Sequence, residues 1–422
     1  MCYNGRAYRD TDEPGSTRPR GIHTIAWAHR GHEASGRETD IPGRSPRKQA
    51  MPITKAFTTE IDYVSILDEH GNFDAQLGSD LISNDELVQL YEQMLTSRRF
   101  DEVAFKLQRS GRMGTYPQNM GQEATSLGAA FALEPHDWLV PCYRENTGLF
   151  HRGLPMEYIL LHWMGDERGN QIPRELFMTP LAIPIGTQML HATGLAWASK
   201  YRGESNIACT FFGDGATSEG DFHEAMNFAA NLDIPVIFFC QNNHWAISVP
   251  GHIQCSAPTV AQRGVAYGMD CVQCDGNDIF AVTKVVKDAA QRARDNNRPT
   301  FIEAVTYRLG DHTTADDARR YRDEEEVEMW KTRDPMIRMR DHLKSLNLWN
   351  DSKEAAATEK AETLVAEAVK RAEEIAEQPV SEIFDSMYNT IDDPEMIRQR
   401  QTMRTSSIGQ DPTQVESTEQ VN

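Results

Sequence analysis

The stretch of sequence best suited to chemistry is Gly213-Asp214-Gly215-Ala216-Thr217-Ser218-Glu219-Gly220, with 26 residues between Gly215 and the pair Asn242-Asn243. Each end follows an apolar stretch of strand character, 207–212 and 236–240. If those stretches are parallel neighbours joined by a helix over 218–231, Asp214 and Asn243 both leave the carboxyl end of the sheet, where open α/β folds bind ligands. One carboxylate and one amide oxygen suit Mg²⁺, which completes its shell from phosphate, backbone and water oxygens. Gly213 and Gly215 would let the backbone approach a phosphate with no Cβ in the way, and the following helix would aim its N–H groups at the anion. Taken alone, Gly-Asp-Gly is better explained as a tight turn between a strand and a helix, because short motifs match often.

A second stretch with chemical potential is Tyr307-Arg308-Leu309-Gly310-Asp311-His312-Thr313-Thr314-Ala315-Asp316-Asp317, directly after a strand expected over 300–305. A loop at the carboxyl end of a sheet is where chemistry is expected, and His312 could take or give protons near neutral pH. A lone loop histidine is otherwise an ordinary one. Arg144, beside Tyr143, carries a guanidinium that matches phosphate geometry, although a surface salt bridge is the default for such a residue. Cys271 and Cys274 form a lone CxxC, and they read as thiols on a short strand between turns. A zinc site would need a second ligand pair, and a redox site a helix opening at the first cysteine.

The elements that must hold these residues can be read from the same text. Apolar strands alternate with helices between about 180 and 310: strand 207–212, helix 218–231, strand 236–240, a helix near 258–267, strand 270–274, helix 278–294 and strand 300–305. Such alternation implies α/β architecture, a parallel sheet flanked by helices on both faces. Upstream, 57–73 reads as a strand or hairpin with a turn at His70-Gly71-Asn72. Ser83 with Glu86 three residues on forms a capping box, opening a helix that runs toward Leu107 with Leu87, Leu90, Tyr91, Met94 and Leu95 on one face. The Ala- and Gly-rich stretch 121–133 reads as a second, closely packed helix. A charged amphipathic helix over 353–377 and a helix-like 381–389 follow near the C-terminus.

Residues 1–50 show neither helical nor strand period and are expected to be a disordered extension, with 51–404 as one domain and 405–422 as a disordered tail. The change of character at Met51 suggests that translation starts there. The extension holds nine Lys and Arg against six Asp and Glu, so the formal charge of -20 arises in the rest of the chain. So acidic a body argues against unaided nucleic-acid binding. No apolar run approaches the roughly 20 residues needed to span a bilayer, and no signal or transit peptide is visible. Seven scattered cysteines suit reduced thiols in a cytoplasmic protein better than a disulfide framework.

Gly-Asp-Gly followed at this distance by Asn-Asn resembles the thiamine diphosphate fingerprint. The text GDGATSEGDFHEAMNFAANLDIPVIFFCQNNHWAIS is similar throughout to the alpha chain of the thiamine-diphosphate-dependent 2-oxo acid dehydrogenases. The similarity spans about 57–390 and takes in GRMGTYPQNMGQEA, PCYREN, IGTQMLHATG, CDGND and TYRLGDHTTADDARRYR. It implies the thiamine-diphosphate-binding fold, with Mg²⁺ held by Asp214, Asn243 and the backbone carbonyl of Trp245. Tyr143 and Arg144 would touch the diphosphate, Gly215 and Ala216 would add backbone contacts, and Glu219 would lie with them. Ile185 would press on the aminopyrimidine. Some relatives carry Arg at Gln241, where a neutral donor would serve here.

The resemblance also makes His312 the catalytic residue, assisting proton movement and acyl transfer to lipoyl sulfur, with Arg308, Asp316, Asp317 and Tyr321 holding the loop. Thr313 stands where some relatives carry a regulatory phosphoserine. Thr187, Gln188 and the carbonyl of Pro184 resemble a potassium site, and His191 belongs to the same helix. The implied partners are a beta subunit, in an assembly of two alpha and two beta chains, and the lipoyl domain of a dihydrolipoyl acyltransferase. Pyruvate is the expected substrate. Branched-chain 2-oxo acids are the alternative, and acetoin is a third choice. A noncatalytic scaffold subunit is the alternative of another class, against which Asp214, Asn243 and His312 argue. A P-loop phosphotransferase is disfavoured, since no GxxxxGK[ST] sequence occurs.

Overall fold

The two strands that precede Asp214 and Asn243 lie side by side and parallel at the centre of a six-stranded sheet. In the computed structural model, which describes residues 55–375, 384 and 393–408, the strands are β1 (Asp62–Val64), β2 (Trp138–Val140), β3 (Ala208–Gly213), β4 (Val236–Asn242), β7 (Asp270–Asp275) and β8 (Thr300–Val305). A two-residue pair, β5 (Trp245–Ala246) and β6 (Val249–Pro250), forms a separate antiparallel ribbon. The sheet order is β1-β7-β8-β4-β3-β2, and every pairing is parallel.

β3 and β4 are almost entirely buried because helices cover both faces, and this is why they read as unbroken apolar runs. Alternate side chains serve opposite faces. Phe211 and Phe239 join the core formed with helices Asn84–Arg109, Glu123–Ala132 and Ile279–Asn296. Phe212 and Phe238 join the core formed with helices Thr187–Arg202 and Gly220–Asn231. The connection from β3 to β4 thus packs on one face and that from β7 to β8 on the other. The change of face falls between β4 and β8, the crevice at which such sheets bind ligands.

The capping box is present as expected: Glu86 N donates to Ser83 Oγ, and Ser83 N donates to Glu86 Oε2 at 2.8 Å. The turn near His70 is also present, with Gly71 at φ +82° and a bridge from Leu67 to Phe73. Two boundaries shift. The helix expected over 258–267 is confined to Gln262–Val265, because Gly264 must sit against Cys271 and Phe301 while Gly268, at φ +73°, turns the chain into β7. The helix after Gly-Asp-Gly begins at Gly220 rather than 218, behind a 3₁₀ turn over Asp214–Ser218.

The boundary expected at Thr405 falls inside helix Pro394–Ile408. Polarity marks exposure and does not forbid a helix. The extension 1–50, the start at Met51, most of the expected helix 381–389 and the tail 409–422 lie outside the described residues. The six described cysteines are free, and Cys271 and Cys274 stand on β7. No helix among the described residues is long and apolar enough to cross a membrane.

Candidate active site

Four neighbouring strands, β2, β3, β4 and β8, send their carboxyl ends into one cavity of about 450 Å³, a volume typical of cofactor and ligand sites. Tyr143 and Arg144 follow β2, Asp214 to Glu219 follow β3, Gln241 ends β4 with Asn243 just beyond it, and His312 lies on the loop after β8. All eleven expected site residues line this cavity: Tyr143, Arg144, Ile185, Asp214, Gly215, Ala216, Glu219, Gln241, Asn243, Trp245 and His312.

Asp214 is 2% exposed, and burial pushes its carboxyl up to about 6. Its Oδ2 has no hydrogen-bond partner. A buried carboxylate oxygen left open is costly unless a cation takes it, so the residue fits a divalent metal. Asn243 is held on both sides: its Nδ2 donates to Gln122 Oε1 at 3.0 Å, and its Oδ1 accepts from Trp245 N at 3.3 Å. Among the described residues no three His, Cys, Asp or Glu converge on a metal position. A site here therefore depends on amide, backbone and ligand oxygens. The Trp245 carbonyl expected to contribute accepts from Arg308 Nη1 at 3.3 Å, so a metal there would share it with a guanidinium.

His312 sits between two arginines. Arg144 Nη2 donates to the His312 carbonyl at 2.8 Å and lies 3.4 Å from Nδ1, while Arg308 Nη1 lies 3.3 Å from the same Nδ1. A guanidinium has no acceptor, so His312 Nδ1 must accept and the ring proton belongs on Nε2. Burial and then the two guanidinium charges push the His312 pKa down to about 3. Arg308 is itself drawn down to about 10 by burial and by Arg144. Its Nη2 donates to Ile247 O at 2.9 Å and to Tyr321 Oη at 3.2 Å, and no carboxylate pairs with it among the described residues. Asp316 accepts from His312 N at 3.0 Å and from the Tyr321 hydroxyl, which fixes the loop as expected. Asp317 instead faces Arg319 at the surface.

Two buried guanidinium groups without carboxylate partners make the cavity a receptor for an anion. The glycines contribute differently from each other. Gly213 has ordinary extended backbone, and a Cβ there would meet nothing within 4 Å. Gly215 could not gain a Cβ without meeting Ala246 at 2.8 Å, so it is required by packing against β5 as well as by any phosphate. Glu219 is exposed, and its carboxylate would repel an anion rather than hold one. Gln241 is held within the chain: its Nε2 donates to Glu145 at 2.5 Å, and its Oε1 accepts from Thr125. Ile185 lines the cavity and is 39% exposed. Near it, Gln188 is buried with Nε2 donating to Phe211 O at 3.0 Å and Oε1 unpartnered.

The sequence matches the dehydrogenase E1 component family over residues 91–381. The chain belongs to that family. It is 43% identical over 315 residues to the 3-methyl-2-oxobutanoate dehydrogenase subunit alpha of Mycobacterium tuberculosis strain H37Rv, covering 75% of this chain and 86% of that one. It is 39% identical over 343 residues to the pyruvate dehydrogenase E1 component subunit alpha of Staphylococcus aureus strain N315, covering 80% and 92%. This E1 chain is therefore of the alpha type, and its family is one that uses thiamine diphosphate.

Three residues of the E1 site escaped reading by residue type. Arg308 was expected to hold the loop, and the structure brings it to His312 itself. Glu145, whose carboxyl burial pushes up to about 7, anchors Gln241 and accepts from Arg144 N. Gln122 anchors Asn243 across 121 residues of sequence. Only its place in a quoted segment pointed to it.

Proposed function

We propose that this E1 alpha chain binds thiamine diphosphate through Mg²⁺ at Asp214 and Asn243 and, with a beta subunit, catalyses oxidative decarboxylation of pyruvate with acyl transfer to a lipoyl domain. The observation that carries the reading is the single cavity, in which an open Asp214 oxygen and two carboxylate-free guanidinium groups face one space. That donor set complements a metal diphosphate. Bound thiamine diphosphate supplies the electron sink that lets carbon dioxide leave a 2-oxo acid. Arg144 and Arg308 hold the anion, and the loops after β3 and β4 hold the metal. His312 presents its Nε2–H as a neutral donor to a substrate or acyl oxygen. Burial is the larger cause of the low His312 pKa and the guanidinium charges the smaller, so a bound anion relieves only the part due to those charges.

A branched-chain 2-oxo acid is the second reading, supported by the 43% identity to the mycobacterial chain. A potassium ion at Thr187, Gln188 and the Pro184 carbonyl is part of the proposal, supported by the unpartnered Gln188 Oε1. So are an assembly of two alpha and two beta chains, a single domain that does not end within helix Pro394–Ile408, and a cytoplasmic location. The test is co-expression with the candidate beta subunit and measurement of decarboxylation of pyruvate and of 3-methyl-2-oxobutanoate, with and without thiamine diphosphate and Mg²⁺. Turnover that requires both and is lost in Asp214→Ala and His312→Ala supports the reading, and the ratio of the two rates names the substrate. A complex that binds no cofactor overturns it and favours a scaffold role.

A further inference from the structure

Helix Glu123–Ala132 begins on a residue poorly suited to the position. Gln122 is its N-cap, a place that favours Ser, Thr, Asp or Asn because a short side-chain oxygen reaches back to the first free N–H groups. The Gln122 side chain makes no such bond. Its backbone is nonetheless fixed, with N donating to Asn119 O at 2.8 Å and O accepting from Thr125 Oγ1 at 2.7 Å.

The side chain points across the fold to Asn243, and the orientation of both amides follows from one backbone group. Trp245 N is a donor, so the Asn243 atom that faces it must be Oδ1. The Asn243 NH₂ then faces Gln122, which must answer with its oxygen. Gln122 Nε2 is thereby turned to the remaining side, where it has no partner. The residue is 1% exposed and lines the cavity. A buried donor in this state is costly unless something bound supplies an acceptor.

We propose that Gln122 has two roles at this site, a conclusion that rests on the thiamine diphosphate reading. Through Oε1 it is a positioning residue, holding the Asn243 NH₂ so that a lone pair of Asn243 Oδ1 stays available to the metal. Through Nε2 it is a binding residue, donating to an oxygen of the bound molecules. That oxygen belongs either to the cofactor diphosphate or to the 2-oxo acid.

The test uses the alpha–beta complex with Gln122→Met, which keeps the length and removes both polar groups, and Gln122→Glu, which keeps an oxygen for Asn243 and lacks the donor. Three quantities are read: the Mg²⁺ concentration for half-maximal cofactor binding, the thiamine diphosphate Kd at saturating Mg²⁺ by titration without substrate, and the KM of the 2-oxo acid. Melting temperature reports integrity. Gln122→Met is expected to raise the Mg²⁺ requirement about tenfold, the scale of one lost hydrogen bond. Gln122→Glu is expected to restore that requirement, which a merely structural role would not produce. At saturating Mg²⁺ the remaining defect of Gln122→Met identifies the acceptor: a weaker Kd assigns the diphosphate, and a raised KM at unchanged Kd assigns the substrate. A folded Gln122→Met complex with wild-type Mg²⁺ requirement, Kd and KM overturns the proposal while the cofactor reading stands. A wild-type complex that binds no thiamine diphosphate overturns both.

Discussion

Arg98 and Arg308 are both withdrawn from solvent, and the chain treats them in opposite ways. Arg98 donates through Nε to Glu123 and through Nη1 and Nη2 to Asp334, both at 3.1 Å. Burial alone pulls its guanidinium down, yet Glu123 and Asp334 hold it above its ordinary value. Arg308 meets two carbonyls, a phenol and a histidine nitrogen, and it falls to about 10. One arginine joins helices Asn84–Arg109, Glu123–Ala132 and the segment at Asp334. The other lines the cavity with no carboxylate beside it among the described residues. The difference separates a charge matched within the fold from one that is not.

The contrast can be broken most directly at Arg98. Arg98→Met strands the fully buried Glu123 carboxylate and is expected to cost about 3–5 kcal/mol in urea unfolding; a loss below 1 kcal/mol would show that the pair builds nothing. Asp214→Asn is expected to act oppositely, stabilising the cofactor-free complex by about 1–3 kcal/mol because a charge disfavoured by burial is removed, while Mg²⁺-dependent cofactor binding disappears. Gly215→Ala tests whether the site side is also constrained by packing. With Ala246 at 2.8 Å from the new Cβ, a loss of about 1–3 kcal/mol is expected without any ligand present, and an unchanged melting curve would refute it.

Arg308→Met strands no carboxylate but leaves two carbonyls and a histidine nitrogen without their donor, so a loss of about 1–3 kcal/mol is expected, smaller than at Arg98, while thiamine diphosphate binds at least tenfold more weakly, a difference calorimetric titration resolves. The smallest effect concerns pH. Burial raises the Asp101 carboxyl to about 7 from an ordinary value near 4, although Tyr116 Oη and Asn119 N both donate to it. The folded protein therefore binds a proton there between about pH 4 and 7, and the stability from this group is present at low pH and lost as pH rises through 7. Asp101→Asn should flatten that slope, read as a gap between variant and wild-type urea midpoints that changes from pH 5 to pH 7.5; a constant gap would refute it.

The parallel sheet was legible because β3, β4 and β8 are apolar runs punctuated by helices, and the metal pair because Gly-Asp-Gly and Asn-Asn sit at the ends of two such runs. Ser83 and Glu86 were legible because a capping box is local. β2 was missed: three residues, Trp138-Leu139-Val140, carry no period, and only pairing with Ala208 to Thr210 makes them a strand. Glu145, Gln122 and the contact between Arg308 and His312 were hidden for a related reason. Their roles depend on partners that the fold supplies. The grip of Glu145 and Thr125 on Gln241 was likewise invisible in the sequence.

The strand order also governs the time the protein takes to exist. Asp62 pairs with Val272, about 210 residues later, and β8 must still be inserted between β7 and β4. At about 5–20 residues per second a ribosome needs roughly 10–40 s to bridge that interval. Throughout it β1 has been made without its partner, and from its own synthesis until β8 is made β4 offers a bare edge with phenylalanines on both faces. The residues that make this sheet so well buried when finished are therefore the ones a nascent chain leaves without partners until Thr300–Val305 arrives.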